Sequence, residues 1–182
     1  LDALEEIYGV LDRHAELLDV FQRKQELADD DATRIHYLFA ISRLWRDRLE
    51  QPDEAIAAAL KILEIDPGHT DALAHLDALY LQNERFEDLA EVLEQRIRLA
   101  DDTAESVKLR ARLAAVQERK VGDVRAAIGT YAAILGLAPD HAEALDALER
   151  LFNNPEWNPL IAPILEPHYQ KQGDWVRLIS VY

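Results

Sequence analysis

The stretch IDPGHTDAL at residues 65–73 has a near copy, LAPDHAEAL, at residues 137–145. Pro, His, Ala and Leu hold the same places in both, 72 residues apart. Proline has no N–H to donate, so Pro67 and Pro139 stop whatever helix precedes them. Working outward, a shift of 72 aligns residues 1–80 with 73–152 without a gap, and about 20 of those 80 pairs are identical. The matches cluster: Leu4 and Tyr8 fall on Leu76 and Tyr80, residues 27–30 (LADD) on 99–102, and Ala55-Ile56 on Ala127-Ile128. Register kept over so long a span means internal duplication.

Each copy divides again. The residues that start the second helix of each pair run Leu17, Ala55, Leu89 and Ala127, at steps of 38, 34 and 38. The four extra residues lie around LADDDATR and LADDTAES, and four residues make about one helical turn. Alternate hairpins should therefore differ by a turn in one helix or in the loop before it. Apolar residues recur at steps of three and four, as in Leu73, Leu76, Leu79 and Tyr80, whereas no period-two pattern occurs. The spacing predicts helices over 1–10, 13–27, 33–49, 53–65, 70–82, 86–99, 104–120, 123–137, 141–152, 160–171 and 174–182. Thr70, Asp102 or Thr103, and Asp140 stand where N-caps belong. Gly122-Asp123 and Gly173-Asp174 mark tight turns. The fold class is all-α, built of antiparallel helix hairpins. IDPGHTDAL reads as a joint between hairpins, repeated because each unit meets its neighbour in the same way. His69 and His141 then serve the turn and bind no ligand.

Leu73-x2-Leu76-Asp77-x2-Tyr80 resembles the first half of the tetratricopeptide repeat motif, with Leu for Trp and Asp for Gly. Ala127-x3-Tyr131 followed by Pro139 resembles the second half, and Ala55-x3-Ala59 with Pro67 is a weaker copy. The resemblance implies a right-handed α-solenoid whose first helices line a concave, peptide-taking groove. On this reading residues 1–152 are the repeat array: two 72-residue double units, 1–72 and 73–144, and the start of a third. An irregular Pro-rich element follows at 153–164, where Pro163 and Pro167 should kink or delay a helix. A further repeat starts at 165–182, where LEPHY echoes LEEIY. The apolar LISVY at its end needs a cover, which predicts that the natural chain continues. Leu1 is likewise read as not the natural start.

The 182 residues are 49% hydrophobic and carry a net charge of −15. A core can form, while duplex nucleic acid and anionic membrane are disfavoured partners of the surface as a whole. No cysteine is present, which removes disulfides and thiolate zinc sites. No apolar run approaches the roughly 20 residues that span a bilayer, so no direct membrane insertion is expected. The compartment stays open between cytoplasm, which is preferred, and periplasm.

Catalytic patterns are missing. The Asp29–Asp31 and Asp101-Asp102 runs lack the alternating ligands and central Gly of a calcium loop, and read as helix starts. The six histidines have no metal-ligand spacing, and the three serines lie in no nucleophile motif. No enzyme, cofactor or metal is expected. The helices predicted over 33–49 and 104–120 hold 9 of the 20 basic residues. Lys108, Arg112 and Arg119 share one face, and with Arg43 and Arg46 they form a candidate basic strip for an acidic protein or peptide segment. The competing reading pairs them with carboxylates of adjoining helices. Tyr37 and Trp45 have no aromatic counterpart 72 residues on and are further candidates for contact. Tyr8, Tyr80, Phe86, Phe152, Tyr169 and Trp175 belong in the core. The expected function is a non-catalytic protein-interaction scaffold, part of a larger protein. The alternatives are a structural spacer, a homotypic assembly module of open oligomeric state, or a regulatory array attached to an enzyme.

Overall fold

The computed structural model describes residues 1–180. Eleven α-helices follow one another among them: α1 Asp2–Val10, α2 His14–Glu26, α3 Asp31–Asp47, α4 Pro52–Ile65, α5 Thr70–Gln82, α6 Phe86–Leu99, α7 Thr103–Val116, α8 Val124–Leu137, α9 Ala142–Phe152, α10 Asn158–Gln172 and α11 Trp175–Ser180. A π-helical segment, Gln117–Val121, prolongs α7. The described residues contain no strand. They form two compact units, one of residues Leu1–Arg85 and one that begins at Phe86.

The duplication is visible in backbone angles. Asp12, Glu50 and Glu84 have φ of 52°, 52° and 55°, and Gly122 has 82°. These four left-handed residues stand 38, 34 and 38 apart, the same steps as the hairpins. Each lets the chain reverse between two helices, a conformation that costs an L-residue about 1–2 kcal/mol and glycine nothing comparable. The extra turn lies in the first helices: α3 has 17 residues and α5 has 13.

The joint of the opening motif is the same in both copies. The His69 N–H donates to Asp66 O and the His141 N–H to Ala138 O, both at 3.1 Å. Each imidazole then caps the next helix: His69 Nδ1 accepts from the Ala72 N–H and His141 Nδ1 from the Ala144 N–H, both at 3.3 Å. Thr70 and Asp140, expected as caps, are displaced by these histidines, and Thr70 is the first residue of α5. Asp102 is a cap as read, and its counterpart Asp30 does the same work for α3.

In the first unit α4 lies between α3 and α5. Ala55, Ala59 and Ile62 of α4 and Ala72, Leu73 and Leu76 of α5 are fully buried, and the alanines let helices cross closely. Leu18, Ile41, Leu44 and Ala58 form one cluster, with Phe21 and Trp45 packed against it. Helix α1 buries none of its residues. Lys24 of α2 ties it down, with Nζ 2.5 Å from Asp2 and in contact with Glu5.

In the second unit the core runs from Ala114 of α7 through Ala127, Tyr131 and Ile134 of α8 and Leu148 of α9 to Ile161, Leu165 and Tyr169 of α10. Pro163 and Pro167, expected to kink or delay α10, lie inside a continuous helix. The irregular stretch after Phe152 is correspondingly short, and α10 is already formed at Asn158. Pro159, Pro163 and Pro167 are spaced by four, so they share one exposed face, opposite Ile161, Leu165 and Tyr169. The carbonyls deprived of a donor therefore lie on the wet side, where water can satisfy them. Trp175 departs from its expected core place and is 64% exposed. Of LISVY, Leu178 is buried in the second unit's core, while Val181 and Tyr182 lie outside the described residues.

Candidate functional site

Each unit carries one groove between first helices. In the first unit α3 and α5 enclose an open groove of about 530 Å³, lined by His36, Phe39, Arg43, Asp71, Ala74 and His75 among others. In the second, α7 and α9 line two adjoining hollows of about 510 and 470 Å³. Phe39, Arg43, Asp71 and Ala74 correspond at 72 residues to Ala111, Ala115, Glu143 and Asp146, which line the second groove. One surface thus occurs twice with different side chains. Small residues floor both: Ala40, Ala74 and Ala78 in one, Ala104, Ala111 and Ala115 in the other.

The polar equipment differs. In the first groove the Ser42 hydroxyl, fully buried, donates to Ala55 O at 2.7 Å and lies 2.8 Å from His75 Nε2. Because the serine's one proton goes to a carbonyl, His75 Nε2 must be the donor in the second bond. Phe39 meets the His75 ring edge-on, with centroids 5.8 Å apart. Burial, together with the Arg46 and Arg43 guanidinium groups and against Asp47, pushes the imidazole down to about 4. Ser42 and His75 are not a nucleophile and its base: the hydroxyl is sealed from solvent and committed to the backbone.

In the second unit the corresponding residues are Ala114 and Ala147, and the polar group lies elsewhere. The π-helical segment turns Gln117 inward, where the Thr130 hydroxyl donates to it at 2.7 Å. It also places Glu118 to accept from the Tyr131 hydroxyl at 2.9 Å and to pair with Arg150 at 2.6 Å. Burial would raise Glu118, but Arg150 and the Tyr131 hydroxyl outweigh it and hold the carboxyl below its ordinary value. Burial first, and then the Glu118 carboxylate, push Tyr131 up to about 12. Arg119, Lys108 and Arg112 complete the basic lining, faced by Glu143 and Asp146.

The candidate residues therefore fall into two sets. Arg43, Lys108, Arg112 and Arg119 line grooves. Arg46 instead makes two hydrogen bonds to the neighbouring Asp47, at 2.6 and 3.0 Å. Lys108 lies 3.9 Å from Glu105 yet remains 74% exposed. Tyr37 is half-buried, 6.1 Å from Phe21, with Lys24 over its ring at 5.3 Å. Trp45 is half-buried against the Leu18 cluster. Sequence reading passed over His36, Phe39, His75 and Arg150. The signal for His75 is concerted: Ser42 and His75 both become alanine one copy later.

No family model matches the chain, and no curated protein matches it. Two crystal structures of MamA are similar in fold, each with a TM-score of 0.51 over 96% of this chain. They are 12% and 13% identical and covered over 91% and 97% of their own length. A putative kinesin light chain of Podosopora anserina with nearly identical TPR-like repeats is similar at a TM-score of 0.50 and 14% identity, covering 98% of this chain and 88% of that one.

Proposed function

We propose, on the premise that this chain has a tetratricopeptide-like all-α repeat fold, that it is a non-catalytic module binding an extended segment of a protein partner along its first-helix grooves. One observation carries the reading: the same small-residue groove recurs 72 residues on, with an accessible cation in each copy. The exposed alanines Ala74, Ala78 and Ala104 leave room for a partner's backbone to approach. In the second groove Arg150 is paired with Glu118, and the remaining Lys108, Arg112 and Arg119 outnumber Glu143 and Asp146, so an acidic segment is the favoured occupant.

Fluorescence polarisation with labelled Glu-rich and Lys-rich peptides tests this. The Glu-rich peptide should bind more tightly, and Arg112→Glu with Arg119→Glu should weaken it tenfold or more, since a charge-assisted hydrogen bond contributes about 1.5–3 kcal/mol. Equal affinity for both peptides, or none, would end the proposal.

Self-association is a second reading, favoured by α1. Leu4, Ile7 and Leu11 share a helical face and are 41%, 49% and 60% exposed. Light scattering across a concentration series decides it: a mass that stays monomeric in the wild type removes the reading, and a dimer abolished by Ile7→Glu supports it.

A further inference from the structure

We propose that His75 is a specificity-determining residue of the first groove, holding out a lone pair that selects a partner side chain with an uncharged N–H or O–H donor, such as Asn, Gln, Ser or Thr. This deepens the peptide-binding reading above and rests on it. Three observations lead to it. First, Ser42 spends its only proton on Ala55 O, so the bond to His75 fixes the Nε2–H tautomer and leaves Nδ1 as an acceptor. Second, no polar side-chain atom sealed from solvent lacks a partner among the described residues. His75 Nδ1 has no protein partner and so must reach solvent, and the groove is where His75 is accessible. Third, the ring is held on two sides, by the Ser42 hydroxyl and by the edge of Phe39. An acceptor fixed in advance costs little to order on binding.

Its surroundings say what kind of donor fits. The groove sets Arg43 beside His75, with Arg43 5.9 Å from the Phe39 ring centroid. At the His75 ring Arg46 and Arg43 outweigh Asp47, so the groove disfavours a lysine or arginine donor there. The same charges and the burial keep the imidazole neutral near pH 7, which preserves the lone pair. Asp71, one turn earlier on the same helix α5, offers a second acceptor to an amide with two N–H bonds. In the second unit Ala147 replaces His75, and the inference assigns no such preference there.

Two measurements test it on the intact chain. Long-range ¹H–¹⁵N NMR of the imidazoles reads the tautomer directly, and a His75 protonated on Nδ1 overturns the inference before any ligand is added. A displayed library of short random peptides is then selected against the wild type and against Ser42→Ala with His75→Ala. That pair reproduces the alanines found at Ala114 and Ala147, an arrangement the second unit already packs. The expected result is several-fold enrichment of Asn, Gln, Ser or Thr at one position by the wild type, absent with the variant. Peptides enriched by both proteins with the same composition overturn the role of His75 and leave peptide binding standing. Selection of no peptide by either protein overturns both.

Discussion

Glu84 occupies a left-handed backbone position that its counterparts also occupy, and only Gly122 and Gly173 do so with glycine. A Cβ at Gly122 would meet nothing within 4 Å, so its cost is one of backbone conformation alone. Gly122→Ala should lose about 1 kcal/mol, the left-handed penalty less the entropy gained by stiffening the unfolded chain. Glu84→Gly should move the other way by about 0.5 kcal/mol. Urea melts of the two variants check this, and the same sign for both would mean that the turn angles are not what governs them. His141→Ala removes an N-cap acceptor and should cost about 0.5–2 kcal/mol, read in the same melts. These positions illustrate what sequence could convey. Pro67 and Pro139 announced the joint, but histidine is an unusual cap, so propensity pointed to Thr70 and Asp140. The left-handed turns at Asp12, Glu50 and Glu84 bear no glycine and gave no sign.

Helices meet through alanine where α4 crosses α3 and α8 crosses α7. Ala127 is fully buried, and Ala127→Leu should destabilise by about 1–3 kcal/mol through overpacking, measured as a shift in melting midpoint. The polar contacts between helices add a pH dependence. The unfolded His75 imidazole takes up its proton near 6.5 and the folded one only near 4. The unfolded state therefore binds more protons between those values, and stability falls as pH drops through that window. Allowing for partial solvent screening, the loss is about 2 kcal/mol. The Ser42→Ala, His75→Ala variant should lose that much less between pH 7 and pH 4.5, and parallel curves would contradict the buried, neutral imidazole. Helical period and the 38/34 alternation were legible because they repeat. The π-helical segment was not: a single extra residue per turn leaves no period that would mark Gln117 and Glu118. Tyr37 and Trp45 were legible as unusual, but only coordinates reveal Phe21, Lys24 and the Leu18 cluster around them.

Across the whole molecule, a net charge of −15 works against compaction. Raising ionic strength should screen that repulsion and raise the melting temperature at constant pH. A fall would mean that local pairs such as Arg150–Glu118 and Lys24–Asp2 dominate. The architecture as a whole was legible, because duplication sums many weak matches. Which basic residues reach a groove was less so, since those on a first helix end in a groove, as Arg112 does, or against a neighbour, as Arg46 does. The compact units part at Arg85, whereas the copies part at Ala72, so both helices that line a groove, α3 with α5 and α7 with α9, fall within one unit. On the proposed reading the chain is thus bivalent. A partner bearing two short motifs would dock the second one intramolecularly, at an effective concentration of order millimolar for a short flexible link. Two individually feeble attachments would then act as one durable tether, and cutting the partner between its motifs would release it.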